Sequence, residues 1–127
     1  RVSHLEIFGD DFPTRDGTGI RDYIHVSDLI AAHALALDHL EGGGAPLTLN
    51  CGYGHGFSVR EVVDTVSRVS GQKVATKLAP RRAGDPPELI ADADRLRREF
   101  GWQPDHDDLA DIVRTAYAWE RRLNSAG

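Results

Sequence analysis

Hydrophobic and polar positions follow one another along the chain in patterns that predict short strands joined by long polar loops. Residues 5–19 combine a short apolar run with a stretch dense in Gly, Asp, Thr and Pro, which predicts a strand that enters a long loop. Residues 47–50 and 74–78 have the composition of two further short strands. Residues 79–87 form a second long polar loop. Both loops are candidates for a binding role.

Helical periodicity covers much of the remaining sequence. Ser27 and Asp28 offer N-cap oxygens to a first helix. The predicted inward face of this helix consists of Leu29, Ala32, Ala36, Leu37 and Leu40. Ser58 and Glu61 form a capping box at the start of a second helix, which Gly71 ends.

Two more helices are predicted in the last third of the sequence. Asp92 can cap a short, arginine-rich helix that ends at Gly101. Asp107 or Asp108 opens the last helix. Together with the strands, the four helices indicate a mixed α/β fold.

The size and composition of the chain are those of one domain. The 127 residues, 40% of them apolar and 28% charged, can bury a single core without metals or disulfides. The net charge of −5 has the wrong sign for broad attraction to nucleic acid or to an anionic membrane, so we expect neither partner. No apolar run approaches the ~20 residues of a membrane helix. The single cysteine, Cys51, excludes an internal disulfide, and we expect a cytoplasmic location.

Several patterns that often carry chemistry are incomplete in this sequence. Residues 52–56, GYGHG, lie where a dinucleotide-binding turn would lie, but the G-x-G-x-x-G spacing fails at Phe57 and at Val59. We therefore predict a tight structural turn. The six histidines are scattered without an H-E-x-x-H pair, and we expect no metal site. No G-x-S-x-G elbow is present, so nothing in the sequence points to nucleophilic catalysis.

Arginines stand in or beside both polar loops. Arg81, Arg82 and Asp85 lie in the second loop, and Arg21 lies at the end of the first. Guanidinium groups suit phosphate oxygens, and a nearby carboxylate can accept hydrogen bonds from a pair of sugar hydroxyls. These residues therefore indicate a nucleotide or a sugar phosphate. The residue types alone favour an alternative, which is a solvated second loop whose Arg and Asp pair with each other and an exposed Arg21 at the start of a strand. This alternative stays open here.

Four segments give the chain a resemblance to a known family. They are LEIFGDDFPT at 5–14, DGTGIRDYIHV at 16–26, LNCG at 49–52 and APRRAGD at 79–85. Together they closely resemble the C-terminal portion of the UDP-glucose 4-epimerases, which are NAD-dependent members of the extended short-chain dehydrogenases/reductases. The resemblance implies a small mixed α/β substrate-binding lobe, in which residues 1–127 form a C-terminal UDP-sugar-binding domain and the Rossmann domain is absent.

The resemblance also implies roles for individual residues. The backbone around Glu6 and Phe8 would contact the uracil. Arg21 and Arg82 would hold the diphosphate, and Asp85 would accept hydrogen bonds from the ribose hydroxyls.

Leu89 stands at a position that borders the sugar pocket in these enzymes. Some members carry tyrosine there, and the smaller leucine leaves more room. N-acetylated UDP-sugars are therefore candidate substrates beside UDP-glucose and UDP-galactose.

The chain lacks the residues that perform the chemistry in this family. Its members transfer a hydride from the sugar C4 to NAD with a Tyr-x-x-x-Lys pair, pass through a 4-keto intermediate, and return the hydride to the other face. Four residues after Tyr23, Tyr53 and Tyr117 stand Ser27, Phe57 and Arg121. We therefore expect that this chain contains no catalytic residue and is inactive by itself. We expect NAD to be bound by about 150 further residues that come before Arg1.

The resemblance implies partners for the lobe as well. Residues 23–50 would pack on the missing NAD-binding domain, and the parent enzyme would be a homodimer. Without that domain, we expect Leu29, Leu37 and Leu49 to be exposed and the fragment to self-associate. Two alternatives remain: the C-terminal part of a sister nucleotide-sugar dehydratase or decarboxylase, and a non-catalytic UDP-sugar-binding module.

Overall fold

Four helices and five short strands make up the secondary structure. A computed structural model describes residues 3–125. The strands are β1 (Leu5–Phe8), β2 (Ile20–Arg21), β3 (Phe57–Ser58), β4 (Thr76–Ala79) and β5 (Glu88–Leu89). The helices are α1 (Val26–Glu41), α2 (Val59–Ser70), α3 (Asp94–Phe100) and α4 (Leu109–Ser125). The predicted mixed α/β class is confirmed, and the strand predicted at 74–78 is observed at Thr76–Ala79.

The strands form two small sheets. β1 pairs with β4 in parallel, with Phe8 opposite Ala79. β2 is the central strand of the other sheet, antiparallel to β3 and parallel to β5, and Arg21 is opposite Leu89. The second polar loop, residues 80–87, runs from β4 of one sheet to β5 of the other. The side chains of this loop can therefore contact residues of both sheets.

The core is centred on Trp102, which is 1% exposed. Its Nε1–H donates to the backbone oxygen of Asp28 at 3.0 Å, which fixes the indole against α1. The buried residues packed together in this core are Ala32, Tyr53, Ala93, Leu96 and Trp102.

A buried carboxylate joins α1 to the segment before α4. Asp28 is 3% exposed, and its Oδ2 accepts hydrogen bonds from the Tyr53 hydroxyl at 2.5 Å and from the His106 N–H at 3.0 Å. Its Oδ1 accepts from the Asp105 N–H at 2.9 Å. Burial raises the pKa of this carboxyl, but the three hydrogen bonds outweigh burial and hold the pKa below its usual value. Asp28 is therefore a charged acceptor inside the core.

The N-terminus of α1 differs from the sequence prediction. Its cap is His25, whose Nδ1 accepts a hydrogen bond from the Ser27 N–H at 3.0 Å. The predicted cap at Ser27 or Asp28 was wrong because the helix begins at Val26, which places both residues inside its first turn.

The predicted ends of the other long helices are confirmed. In α2 the Ser58 hydroxyl accepts from the Glu61 N–H at 3.1 Å, and the Glu61 carboxylate accepts from the Ser58 N–H at 2.7 Å. Gly71 ends this helix with a φ of +69°, a left-handed conformation that glycine adopts without strain. At the start of α4, the Asp108 carboxylate accepts from the Asp111 N–H at 2.8 Å.

Residues 47–50 do not form the predicted strand. Within the described part of the chain, no strand pairs with them to form a hydrogen-bonded ladder. Leu49 instead packs, half-buried, against the core.

One face of α1 is apolar and exposed. Its exposed side chains are Val26, Ile30, Leu37 and Leu40, and their spacing places them on one side of the helix. Leu37 and Leu40 were predicted to face inward, and that prediction is wrong because both side chains are exposed. Of the three residues expected to be exposed, Leu37 is exposed, while Leu29 and Leu49 are half-buried. No helix in residues 3–125 is both long and apolar enough to cross a membrane.

Candidate functional site

The first polar loop, between β1 and β2, is fixed to the start of α2 by polar side chains. Asp16 Oδ1 accepts hydrogen bonds from the N–H and the hydroxyl of Thr18 at 2.9 and 2.7 Å, and Asp16 Oδ2 accepts from the Ser58 hydroxyl. Arg15 forms an ion pair with Glu61. Thr18 and Ser58 are fully buried. The loop therefore enters β2 at a defined place.

The second polar loop contacts the first through two neighbouring arginines. Arg81 Nε lies 2.5 Å from Asp11 Oδ1, and Arg81 Cζ lies 4.2 Å from the centre of the Phe12 ring. Arg82 Cζ lies 3.8 Å from the centre of the Phe8 ring. Each arginine thus stacks on a different aromatic ring of the first strand and loop.

An open cleft of about 930 Å³ lies between β1 and the two loops. Its walls include five of the six residues predicted for the site: Glu6, Phe8, Arg21, Arg82 and Asp85. Arg21 Nη2 lies 3.9 Å from Asp85 Oδ1, and the Asp85 N–H donates to the Arg82 carbonyl oxygen at 3.3 Å. Residues that are distant in sequence are therefore close together here.

Leu89 lies beside the cleft and is not part of its wall. It is opposite Arg21 in the pairing of β2 with β5, and its side chain is 61% exposed. The wall also contains residues that the sequence did not indicate, among them Ser3, His4, Phe12, Val59 and Val74. Side chains two positions apart in an extended segment point to the same side, so the prediction of Glu6 could have indicated His4 as well.

The open edge of β1 offers backbone groups beside the cleft. Leu5 and Gly9 donate their N–H groups to carbonyl oxygens on the β4 side, at 2.8 and 2.9 Å. Backbone groups alternate between the two edges of a strand, and β1 has no second neighbouring strand in residues 3–125. The N–H and C=O groups of Glu6 and Phe8 therefore lie along the unpaired edge.

The glycine-rich turn at 52–56 is structural, as predicted. The N–H groups of Tyr53 and Gly54 donate to the Asp22 carboxylate at 3.3 and 3.4 Å. A Cβ at Gly52 would lie 2.3 Å from Asp22 Oδ2, so this close approach requires glycine. Because a carboxylate already occupies the amides of the turn, these residues do not fit the phosphates of a dinucleotide such as NAD.

His25, His106 and Asp111 place three possible metal-binding atoms within 4.8 Å of one another. The Nδ1 of His25 accepts from the Ser27 N–H, so its ring proton is on Nε2, which donates to Thr115 Oγ1 at 2.8 Å. A metal ligand needs an unprotonated nitrogen. His106 Nδ1 and Asp111 Oδ2 are paired at 2.7 Å. The cluster is therefore a hydrogen-bonding network.

Comparison with known proteins shows which family the chain belongs to. The family model described as GDP-mannose 4,6 dehydratase matches residues 3–115. The chain belongs to the epimerase/dehydratase family of extended short-chain dehydrogenases/reductases. Within this family it is similar to a UDP-glucose 4-epimerase of Azospirillum brasilense, with 60% identity over 122 residues, which are 96% of this chain and 35% of that protein.

Solved structures of epimerases have the same fold. The UDP-glucose 4-epimerase of Stenotrophomonas maltophila, with bound NAD and formylated UDP-arabinopyranose, gives a TM-score of 0.91 at 43% identity, over 99% of this chain and 37% of that one. The UDP-Glc/GlcNAc 4-epimerase of Campylobacter jejuni gives 0.84 at 50% identity, over 95% and 36%. The chain thus spans about a third of the length of these relatives. The predicted identity of the fold, the small α/β C-terminal lobe of this family, is confirmed.

Proposed function

We propose that this chain is the UDP-sugar-binding lobe of a UDP-glucose 4-epimerase, which interconverts UDP-glucose and UDP-galactose. The observation that supports the proposal most strongly is the position of Arg21, Arg82 and Asp85. Two cations and one anion, one of them from β2 and two from the second polar loop, line one cleft beside the open edge of β1. Similarity to epimerases with bound UDP-sugar points to the same ligand.

The groups in the cleft complement the parts of UDP. The guanidiniums of Arg21 and Arg82 suit the diphosphate, where each charge-assisted hydrogen bond is worth about 1.5–3 kcal/mol. The Asp85 carboxylate suits the ribose hydroxyls. Uracil presents an N–H between two carbonyl groups, and the unpaired backbone groups of Glu6 and Phe8 can bind both kinds of group.

Hydride transfer belongs, in this proposal, to residues outside the chain. The glycine turn at 52–56 does not fit NAD, and the sequence contains no Tyr-x-x-x-Lys pair. When bound to the complete enzyme, NAD supplies the hydride acceptor. The lobe described here holds the nucleotide while the hexose reacts.

Residues 23–50 are proposed to pack on the NAD-binding domain. The exposed apolar face of α1 borders a groove of about 210 Å³, whose walls include Leu29, Leu47 and Leu96. Apolar surfaces of this kind mark contacts with another domain or chain. The relatives are about three times as long as this chain, so they have enough further residues to form such a domain. We also propose that this face makes the isolated chain self-associate, and light scattering that detects only monomers at high concentration would contradict this.

Leu89 is proposed to border the hexose. Its place in β5 opposite Arg21 puts it next to a proposed phosphate ligand. The enzyme of Campylobacter jejuni that is 50% identical is named for both glucose and N-acetylglucosamine substrates. We extend the same range of substrates to the present protein.

The complete enzyme that carries this chain provides the test. Incubated with UDP-glucose and followed by NMR, it should form UDP-galactose. Formation of a 4-keto-6-deoxy sugar would identify a sister dehydratase instead, and binding of UDP without any turnover would identify a binding module.

A matched pair of variants tests the site itself. Arg82→Ala should raise the dissociation constant for UDP about 10- to 150-fold, because it removes charge-assisted hydrogen bonds to phosphate. Arg81→Ala is the control, since Arg81 is paired with Asp11 and is not in the cleft wall. Equal effects of the two substitutions would contradict the assignment.

A further inference from the structure

The two adjacent arginines of the second loop differ in what holds them. Arg81 is both stacked on Phe12 and paired with Asp11. Arg82 is stacked on Phe8, and within residues 3–125 its guanidinium has neither a hydrogen-bond partner nor an ion-pair partner. Because stacking uses the face of the guanidinium, the five N–H donors along its edge stay available.

We propose that Phe8 is a positioning residue that holds Arg82 ready for the diphosphate of the substrate, an inference that rests on the proposed UDP-sugar site. Phe8 is half-buried and ends β1, and the next residue, Gly9, donates its N–H to the Ala79 carbonyl oxygen of β4 at 2.9 Å. Arg82 is exposed, as is every other residue of the loop at 80–87. The Phe8 ring is therefore held in place by the fold, whereas the Arg82 guanidinium depends on the contact with the ring for its position.

The benefit of this contact is preorganisation. A long side chain on an exposed loop loses rotamer freedom when it binds a ligand, and that loss weakens binding. A cation–π contact limits the side chain before the ligand arrives. The contact also covers one face of the Phe8 ring, so that face is not available for stacking on the uracil while Arg82 lies over it.

A double-mutant cycle in the complete enzyme tests whether Phe8 acts through Arg82. Phe8→Leu keeps an apolar side chain but removes the ring, and it should weaken UDP binding about 3- to 10-fold by calorimetry. Phe8→Tyr keeps the ring and should restore the wild-type affinity. In an Arg82→Ala background, Phe8→Leu should have no further effect. Additive losses in that background would overturn the proposal.

The ligand without its phosphates gives a second readout. Phe8→Leu should leave the affinity for uridine unchanged, since the proposed contact serves the diphosphate. An equal loss for uridine and UDP would mean that the ring contacts the base, and it would refute a role through Arg82. Phe100→Leu, at a half-buried phenylalanine in α3 and outside the cleft wall, is the matched control for the general effect of removing a ring.

A measurement on the wild-type enzyme needs no folded Phe8 variant. The Arg82 Nε–H signal, assigned by its loss in Arg82→Ala, should be shifted upfield by the ring current of Phe8. A shift typical of a solvated arginine would overturn the proposal. If the wild-type enzyme does not bind UDP, the proposed function fails as well; if it binds UDP through Arg82 but the cycle is additive, only the role of Phe8 fails.

Discussion

Replacing Asp28 with asparagine should destabilise the protein more than the small change in shape suggests. The carboxylate accepts hydrogen bonds from the Tyr53 hydroxyl and from the N–H groups of Asp105 and His106. Asparagine has one acceptor oxygen, so at least one buried donor would face an NH₂ group without a partner. An unsatisfied buried group costs about 1–3 kcal/mol, and loss of the charge weakens the remaining hydrogen bonds. We therefore expect a loss of about 3 kcal/mol.

Urea unfolding followed by tryptophan fluorescence measures this loss. Trp102 is buried and donates to the backbone oxygen of Asp28, so its emission reports on the altered region. Asp38→Asn is the matched control, because it makes the same change at an exposed position of α1. We expect the control to alter the free energy of unfolding by less than about 0.5 kcal/mol.

The lowered pKa of Asp28 gives the effect a pH dependence with a defined sign. Because the pKa is lower in the folded than in the unfolded state, the stabilisation is complete above the unfolded pKa of about 3.9. It is lost as the pH falls through the folded value. The difference between wild type and Asp28→Asn should therefore shrink in acid. A variant as stable as wild type at pH 7, or a loss that does not vary with pH, would refute the role of Asp28 as a charged acceptor.

Three further predictions concern the loops, the histidine cluster and the sugar. Ser58→Ala should lower the free energy of unfolding by about 2 kcal/mol, because it removes both the cap of α2 and the contact with Asp16; a loss below about 0.5 kcal/mol in urea unfolding would contradict this. The hydrogen bond and ion pair with Asp111 raise the pKa of His106. The stabilisation that this pair contributes is therefore complete below the unfolded pKa of about 6.5 and is lost as the pH rises through the raised folded value. An NMR titration midpoint for His106 below about 6.5 would refute the pairing. Leu89→Tyr should lower kcat/KM for UDP-N-acetylglucosamine relative to UDP-glucose about tenfold or more, and an unchanged ratio would show that this side chain does not limit the sugar pocket.

The features that could be predicted from the sequence depend on neighbours along the chain. The capping box of Ser58 and Glu61 and the cap at Asp108 involve residues three positions apart, and Gly71 ends α2 through its own backbone conformation. Asp28 was misinterpreted as a cap because its hydrogen-bond donors lie 25, 77 and 78 positions away. Only the tertiary fold brings these donors to one carboxylate.

The same division applies to the candidate site. The resemblance to the epimerases selected Arg21, Arg82 and Asp85, and the structure brings these residues to one cleft, while their roles stay predictions. The stacking of Arg82 on Phe8 could not be predicted, because the two residues come from different strands and loops that meet only through the pairing of β1 with β4. The strand predicted at 47–50 failed for the converse reason, since a ladder needs a partner that periodicity does not reveal.

A crystal structure of the complete enzyme with UDP bound would show directly whether this cleft binds the nucleotide. We predict that the guanidiniums of Arg21 and Arg82 lie within hydrogen-bonding distance of the diphosphate oxygens, with the Asp85 carboxylate on the ribose hydroxyls and the uracil along the open edge of β1. Density for UDP elsewhere in the protein, with these three side chains facing solvent, would contradict the assignment of this cleft.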